Sequence, residues 1–453
     1  SRPAISLKEN AMAHLLPKFT CQALLLVSAS AMAQNNTVLV TSPAAQQVSG
    51  FENLSLREVP FSATNIDNAT LRDLGAQRIS DALRLDSSVT DSYNSPAYWD
   101  MLSVRGFMLD NRYNYRREGL PISAETMIAM DNKERIELFK GTSGIQAGTS
   151  APGGLANYIV KRPPNSIEAK TRSLTLGFGN GNNSSIALDL GGRYGDNNAF
   201  GYRINAAYEN LNPSIYNAKG HRQLLSLAMD WRINTNTRLE WEIESSSRQQ
   251  MGVNAASITG NSLPSPIYGH SNFSKQSWSV PGVFDGLTGS VRLKHRLDNG
   301  WMWTTQLGAQ RLKTDDRLSY AYGCYAENNY DRFCSDKTFD LYDYRSENER
   351  RLNDALQTEL TGQVQVAGIQ HDLSFTWLRQ RQIDKLSPMQ AYNWAGTGSL
   401  SGISDSAAAP EPFELNTNRQ EYATEISIKD RIRVHRFADL WVGLRSSQIQ
   451  RDS

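Results

Sequence analysis

Neither sign of charge is in excess in this 453-residue sequence: 47 Lys+Arg stand against 46 Asp+Glu. A nucleic-acid partner, which needs a basic face, is not expected. Long apolar runs are also scarce. The mean hydropathy of −0.50 excludes a bundle of membrane helices, since each helix needs about 20 mostly apolar residues. It does not exclude a membrane β-barrel, whose strands divide their residues between lipid and lumen and so stay polar on average. Histidine is sparse and scattered (His14, His221, His270, His295, His371, His435), without a His-x-x-x-His or Cys–His grouping, so no metal centre is expected. No nucleophile–base constellation stands out and no Walker pattern occurs, so neither an enzyme nor a nucleotide machine is expected. Only three cysteines are present: Cys21, Cys324 and Cys334.

What is present begins with an address. From Met12 the chain reads as a positive n-region around Lys18, an apolar run from Phe19 to Val27, and an Ala-x-Ala site ending at Ala33. That is a secretory signal peptide over 12–33; residues 1–11 precede the start Met and are given no role. Export leaves Cys324 and Cys334 as an even pair in an oxidising compartment, which favours a disulfide. The rival reading is zinc, but two thiols without a nearby His make half a site. After the cleavage point, Thr37, Val38, Leu39, Val40, Thr41 and Ser42 form a short β-prone segment, of the kind that adds a strand to a partner's sheet edge.

Residues 44–163 read as a small α/β domain. Leu71–Gly75 and Ile79–Leu85 show helical apolar spacing. Short strands are expected over 101–107, 113–116 with 119–121, and 134–139, and Gly141, Gly144, Gly148, Gly153 and Gly154 mark turns. The ordered motifs Leu102-Ser-Val-Arg105-Gly106-Phe107, Glu118-Gly119-Leu120-Pro121, Glu134-Arg135-Ile136-Glu137-Leu138-Phe139 and Ala151-Pro152-Gly153-Gly154-Leu155 through Lys161-Arg162-Pro163 resemble the plug of TonB-dependent outer-membrane receptors, in particular the ferric-siderophore branch. Two positions depart from the family's pattern. Lys133 stands where an apolar residue is usual, and Arg117-Glu118 replaces the usual Asp or Asn before Gly.

From about Ser173 a period-two pattern persists to the end, the mark of strands. Phe200, Tyr202, Ile204, Ala206 and Tyr208 share one face of a strand; Leu239, Trp241 and Ile243 oppose Arg238, Glu240, Glu242 and Glu244 in another. About eleven strands are expected. Short turns near Asp196–Asn198, Asn234–Thr237, Asp298–Gly300, Gly368–Gln370 and Arg433–His435 alternate with longer segments at 211–221, 247–287, 312–354 and 381–420. That rhythm is the one outer-membrane barrels show. Trp231, Trp241, Trp301, Trp303 and Trp377 fall on the apolar face, as an aromatic girdle does. The expected fold is therefore mostly β, a transmembrane antiparallel β-barrel with an N-terminal α/β plug. Eleven strands do not close a barrel and the family has 22, so about half the wall is expected over 164–453, in a chain truncated at its C-terminus.

The resemblance implies an outer-membrane receptor importing a ferric siderophore. It also implies that residues 34–43 are a tether whose 37–42 segment is the TonB box. The partners are the ferric siderophore, TonB with its inner-membrane energising complex, and outer-membrane lipid. No cofactor is expected on the protein itself, iron travelling within the siderophore. The ligand-binding plug apex is expected to comprise Tyr98, Trp99, Asn111, Arg112, Tyr113 and Tyr115, whose rings and guanidinium suit an iron chelate. Arg105, Glu134, Arg135 and Glu137 are expected to lock the plug to the wall, with Glu240, Glu242 and Glu244 as solvated wall charges facing Arg105 or other plug cations. A passive channel, or a receptor for cobalamin or haem, are the competing readings.

Overall fold

The computed structural model describes residues 47–48, 51–55 and 59–452, apart from 94, 96, 142–147, 149, 180–181, 254–255, 266–269, 275, 389–391, 401–405, 409–414 and 436. The readings on 1–11, 12–33 and 37–42 fall outside the described residues.

A hairpin of β1 (Gln47–Val48) and β2 (Phe51–Ser55) precedes a five-stranded mixed sheet. Its strands are β3 (Ser62–Asp67), β7 (Tyr115–Arg117), β8 (Leu120–Pro121), β9 (Lys133–Lys140) and β10 (Gly154–Val160), in the order β3-β9-β10-β7-β8. Two one- to two-turn helices, α1 (Asn68–Asp73) and α2 (Ile79–Leu83), cover it. Asp67 caps α1, its side chain accepting the Thr70 amide at 2.9 Å, which satisfies one of the free donors of a helix start. The apolar positions Leu71, Ile79 and Leu83 then meet Ile136, Leu138, Tyr115 and Tyr158 of the sheet in one core. A second small sheet joins β4 (Val89–Asp91), β5 (Leu102–Val104) and β6 (Phe107–Met108).

Two of the Gly-bearing plug motifs are two-residue hairpin turns. Arg105-Gly106 links β5 to β6 with φ of 53° and 83°, and Glu118-Gly119 links β7 to β8 with φ of 53° and 85°. Paired positive φ values are what the right-handed twist of a tight hairpin requires, and the second site takes Gly because a Cβ there is strained.

The remainder is one antiparallel sheet with an unbroken path of eleven strands, and the sheet does not close. They are β11 (Thr171–Phe178), β12 (Ser184–Tyr194), β13 (Phe200–Leu211), β14 (Gly220–Arg232), β15 (Thr237–Met251), β16 (Val280–Arg296), β17 (Met302–Ala321), β18 (Thr338–Val366), β19 (Ile369–Lys385), β21 (Arg419–His435) and β22 (Ala438–Asp452). A further strand, β20 (Tyr392–Ser399), pairs with the outer half of β18 alone. The strand count of the path agrees with the alternation in the sequence. The segments expected as long loops do not all stay loops: β16, β17 and β18 start or end well inside 247–287 and 312–354. At 29 residues, β18 far exceeds the roughly 9–11 that cross a bilayer. Beyond the lipid both faces meet water or other loops, so the apolar alternation that betrays a strand is lost although pairing continues.

The wall is apolar outside and polar within. Leu225, Ile243, Leu287, Val291, Leu307 and Ile426 are exposed on its outer face, whereas Asn205, Ser226, Glu242, Thr288 and Gln306 are buried on the inner one. At the short-turn end, Phe200 stacks with Tyr194 and Trp231 at 5.5 and 5.7 Å, and Trp301 with Phe375 at 6.3 Å. These rings form an aromatic band suited to a membrane interface. At the other end Cys324 and Cys334 form a disulfide beside a small core of Phe273, Ala321, Phe333, Phe339, Leu341 and Leu400.

Candidate functional site

Two regions carry the chemistry: a charged seam where the plug meets the wall, and an aromatic floor above it at the long-loop end.

The seam is built by strand registers. Glu240, Glu242 and Glu244 lie at alternate positions of β15, and the opposing positions of β16 are Arg292, Ser290 and Thr288. Arg292 binds Glu240 (Nη2–Oε2 2.5 Å) and Ser290 donates to Glu242 at 3.1 Å. From the plug, Arg117 at the end of β7 forks onto this ladder. Its Nη2 lies 2.7 Å from Glu242 and its Nη1 2.6 Å from Glu244. Lys133, fully buried at the start of β9, adds its ammonium to Glu244 at 2.8 Å, and Asn132 donates to the same oxygen at 2.8 Å. The next residue of the turn, Glu118, reaches Arg292 at 2.9 Å and Arg162 at 3.3 Å and accepts the Val160 amide at 2.8 Å. Further along, Arg222 of the wall clasps Asp131 of the plug at 2.6 Å, Lys161 meets Asp189 at 3.0 Å, and Gln310 exchanges two hydrogen bonds with the Ser123 backbone at 2.9 and 3.1 Å.

Buried charges are tolerated only in such mutual pairing. Burial alone pushes the Glu118 carboxyl upward, but the Arg162 and Arg292 charges outweigh it and hold the group down to about 2. Burial lowers the Lys133 ammonium, against the opposing pull of Glu244. Burial likewise lowers Arg117, yet Glu242 and Glu244 more than restore it.

The seam corrects the sequence reading of the lock. Glu240, Glu242 and Glu244 are not solvated; each is at most 5% exposed. Arg135 and Glu137 pair with each other inside the plug at 2.8 Å, and Glu137 also accepts from Asn157 at 2.8 Å. Arg105 sits in its exposed hairpin turn and Glu134 is exposed; among the described residues neither has a wall counter-ion. The cations that do the joining, Arg117 and Lys133, together with Glu118, are the positions that depart from the family's pattern. The signal was therefore in the sequence as two anomalies, each an unexpected charge facing a Glu-x-Glu-x-Glu run of a distant strand.

The aromatic floor joins plug and wall. Tyr98 packs on Trp99 at 4.0 Å and on Tyr93 at 5.6 Å, and both Tyr98 and Trp99 meet Phe284 of β16 edge-on at 5.5 and 5.8 Å. The Tyr98 and Tyr344 hydroxyls are 3.3 Å apart, and Tyr344 continues to Tyr392 at 4.9 Å and Tyr392 to Tyr320 at 5.7 Å. Arg351 lies over the Trp99 ring at 5.4 Å. Of the residues expected at the apex, Tyr98 and Trp99 are part of this floor. Tyr113 is nearby on the wall side, its hydroxyl donating to Glu421 at 2.8 Å, with Arg112 over its ring at 5.2 Å. Two do not face a ligand. Tyr115 is 1% exposed within the plug core, because β7 alternation turns it inward. Asn111 is buried and spends its amide on the Asp100 and Ala124 carbonyls, fixing the loop. Sequence reasoning missed Tyr93, Phe284, Tyr320, Tyr344 and Tyr392, since only the fold gathers them.

Comparison with known proteins agrees with this layout. Residues 55–155 match the family model of the TonB-dependent Receptor Plug Domain. The chain is similar to the ferrichrome receptor FcuA of Yersinia enterocolitica, at 24% identity over 61% of this chain and 36% of that protein. It is also similar to the ferrioxamine B receptor of Salmonella typhimurium, at 23% identity over 75% and 48%. In three dimensions it resembles the ferripyoverdine receptor of Pseudomonas aeruginosa bound to ferripyoverdine, with a TM-score of 0.70 and 19% identity, covering 88% of this chain and 53% of that one. The siderophore receptor PiuA from Acinetobacter baumannii gives a TM-score of 0.73 at 16% identity, covering 87% and 58%. The chain thus spans half or less of the length of these curated relatives.

Proposed function

Taking as premise a TonB-dependent receptor plug seated against an outer-membrane β-wall, we propose that this protein binds a ferric siderophore at the cell surface and imports it by TonB-coupled active transport. One observation carries the reading: the plug is pinned to the polar inner wall by a buried charged seam and presents Tyr98 and Trp99 to an aromatic floor at the long-loop end. The relatives named for ferrichrome, ferrioxamine B and ferripyoverdine support a siderophore over cobalamin or haem.

In this mechanism the floor receives the chelate by stacking on its apolar parts. Iron arrives within the siderophore, and the protein needs no cofactor of its own. Binding at Tyr98 and Trp99 acts on the plug directly, and passage requires the seam at Arg117 and Lys133 to open. Residues 37–42 serve as the TonB box, to which TonB adds a strand through main-chain hydrogen bonds. The energy comes from the inner membrane, and the protein works as a transporter rather than an enzyme.

A passive channel is the rival reading. Along the seam, the voids around Arg117, Ile122 and Arg248 measure about 10–20 Å³ each, room for single waters. Deleting residues 37–42 tests the proposal. Siderophore binding should persist while uptake into iron-starved cells is lost; undiminished uptake would overturn it.

A further inference from the structure

Asp316, in the outer part of β17, is 1% exposed, and neither of its carboxyl oxygens has a hydrogen-bond partner. Irregular pairing on both sides puts it there. β16 advances three residues (Val280 to Val283) against two of β17 (Arg317 to Asp315), and β18 advances three (Ser346 to Glu349) against two (Asp316 to Thr314). Such bulges re-aim side chains and gather beside functional sites. A Cβ on Gly282 would stand 3.2 Å from Asp316 Oδ1 and 3.6 Å from the Phe284 ring, so the acid and the ring share the space over this glycine. Phe284 is in turn the ring that Tyr98 and Trp99 meet edge-on.

The charges around Asp316 either share its sign or are engaged elsewhere. β17 contributes Asp315, bound to Lys313 at 3.2 Å, and Arg317, bound to Asp343 at 2.8 Å. β18 sets Ser346 opposite it and brings Tyr344 and Glu349, the latter held at 3.1 Å by Arg351, which also binds Glu125. The plug adds Tyr98 and Tyr93, and β20 adds Tyr392; phenols are neutral at ordinary pH. β16 presents Gly282 and Phe284, which do not titrate. A carboxylate placed there has neither water nor a counter-ion, so the neutral acid is the form that fits. Burial first, then the Glu349 and Asp315 charges, push the carboxyl up to about 7.

Resting on the receptor reading above, we infer that Asp316 is a positioning residue of the floor, packed beside Phe284 as a neutral acid, and that its ionisation loosens the floor and its hold on the ligand. An ionised Asp316 draws water into the contact between Gly282 and the Phe284 ring, and Tyr98 and Trp99 lose the surface they rest on. In an opened floor the acid meets water and ionises at the ordinary value of about 3.9. The assembled floor therefore holds a proton that the opened one releases. Its advantage is fully present below about 4 and is lost as pH rises through about 7. Apparent affinity follows the assembled fraction.

Titration of the full chain in outer-membrane vesicles, followed by quenching of tryptophan fluorescence, separates the outcomes. The titrant is a ferric trihydroxamate, or a ferric tris-catecholate if the first does not bind. Affinity is expected to fall at least about fivefold from pH 5 to pH 8, a range above the Glu118 transition. Asp316→Asn, neutral at every pH, should remove that slope and bind more tightly than the parent at about pH 8. The difference in slope between the two cancels any titration of the chelate itself. If Asp316→Asn does not fold, infrared spectra of the unaltered, ligand-free chain decide. They should show the carbonyl band of a protonated carboxyl without hydrogen bonds, fading as pH rises through about 7. An affinity level from about pH 5 to 8, an Asp316→Asn variant that keeps the parent's slope, or absence of the infrared band overturns the inference and leaves the receptor reading in place. Binding of neither ferric complex at any pH overturns the receptor reading, and the inference falls with it.

Discussion

The Arg117 guanidinium of the plug and the Glu244 carboxylate of the wall, 127 residues apart in the chain, meet at 2.6 Å with both side chains at most 6% exposed. Removing one partner of such a pair strands the other without water, a cost of about 3–5 kcal/mol. Arg117→Ala should therefore loosen the plug by that order while the wall stays folded. Protease accessibility of the plug together with its unfolding midpoint in micelles measures this. Arg117→Ala combined with Glu242→Gln and Glu244→Gln should recover part of the loss, because fewer charges are then left unpaired. A single Arg117→Ala variant as stable as the parent would remove the seam from the account.

Acid should release the same seam at a definable point. The Glu118 carboxyl is held down to about 2 by Arg162 and Arg292, against about 4.3 in an unfolded chain. A depressed carboxylate stabilises the docked plug above the unfolded value, and that contribution fades as pH falls from about 4 toward 2. Plug docking should show this loss in urea titrations across that window, and Glu118→Gln should flatten it. A Glu118→Gln profile identical to the parent's would contradict the assignment.

The hairpin at Glu118-Gly119 isolates a backbone effect. Gly119 has φ of 85° and a Cβ there would meet nothing within 4 Å, so substitution costs conformational strain alone. Gly119→Ala should destabilise the plug by about 1–2 kcal/mol. Gly119→Asn should cost less, since Asn tolerates the left-handed region. Equal costs for the two, measured by thermal unfolding, would show that something other than φ is felt.

The Cys324–Cys334 bridge closes a short loop and is worth about 2–3 kcal/mol by loop entropy. Its removal in Cys324→Ser/Cys334→Ser should raise amide exchange in residues 322–337 without changing exchange in β11–β14, none of whose residues belongs to that loop's core among the described residues. Loss of protection throughout the sheet would make the bridge a global rather than a local staple.

Much of this architecture was legible in the chain because lipid enforces alternation. Leu239, Trp241 and Ile243 against Glu240, Glu242 and Glu244 read as one strand with two faces, and the structure keeps both sets together. The outer parts of β16, β17 and β18 were not legible, since no lipid face imposes a pattern there. The floor was half legible. Tyr98 and Trp99 stand beside a recognisable motif, but Phe284, Tyr344 and Tyr392 reach them only through strand registers set tens of residues away. The lock was misread for the same reason. A local Glu-Arg-Ile-Glu run suggested wall contacts, yet Arg135 and Glu137, two residues apart on one face of β9, pair with each other, and Lys133, on the far side of a register shift in that strand, reaches Glu244.

Energised uptake of a ferric siderophore through a displaceable plug is tested most directly by radio-iron accumulation in iron-starved cells bearing this chain, supplied with a ferric siderophore, with and without a protonophore. Surface binding should be unchanged in both cases, and accumulation should stop when the proton-motive force is collapsed. Accumulation that continues at the same rate in the protonophore would contradict it.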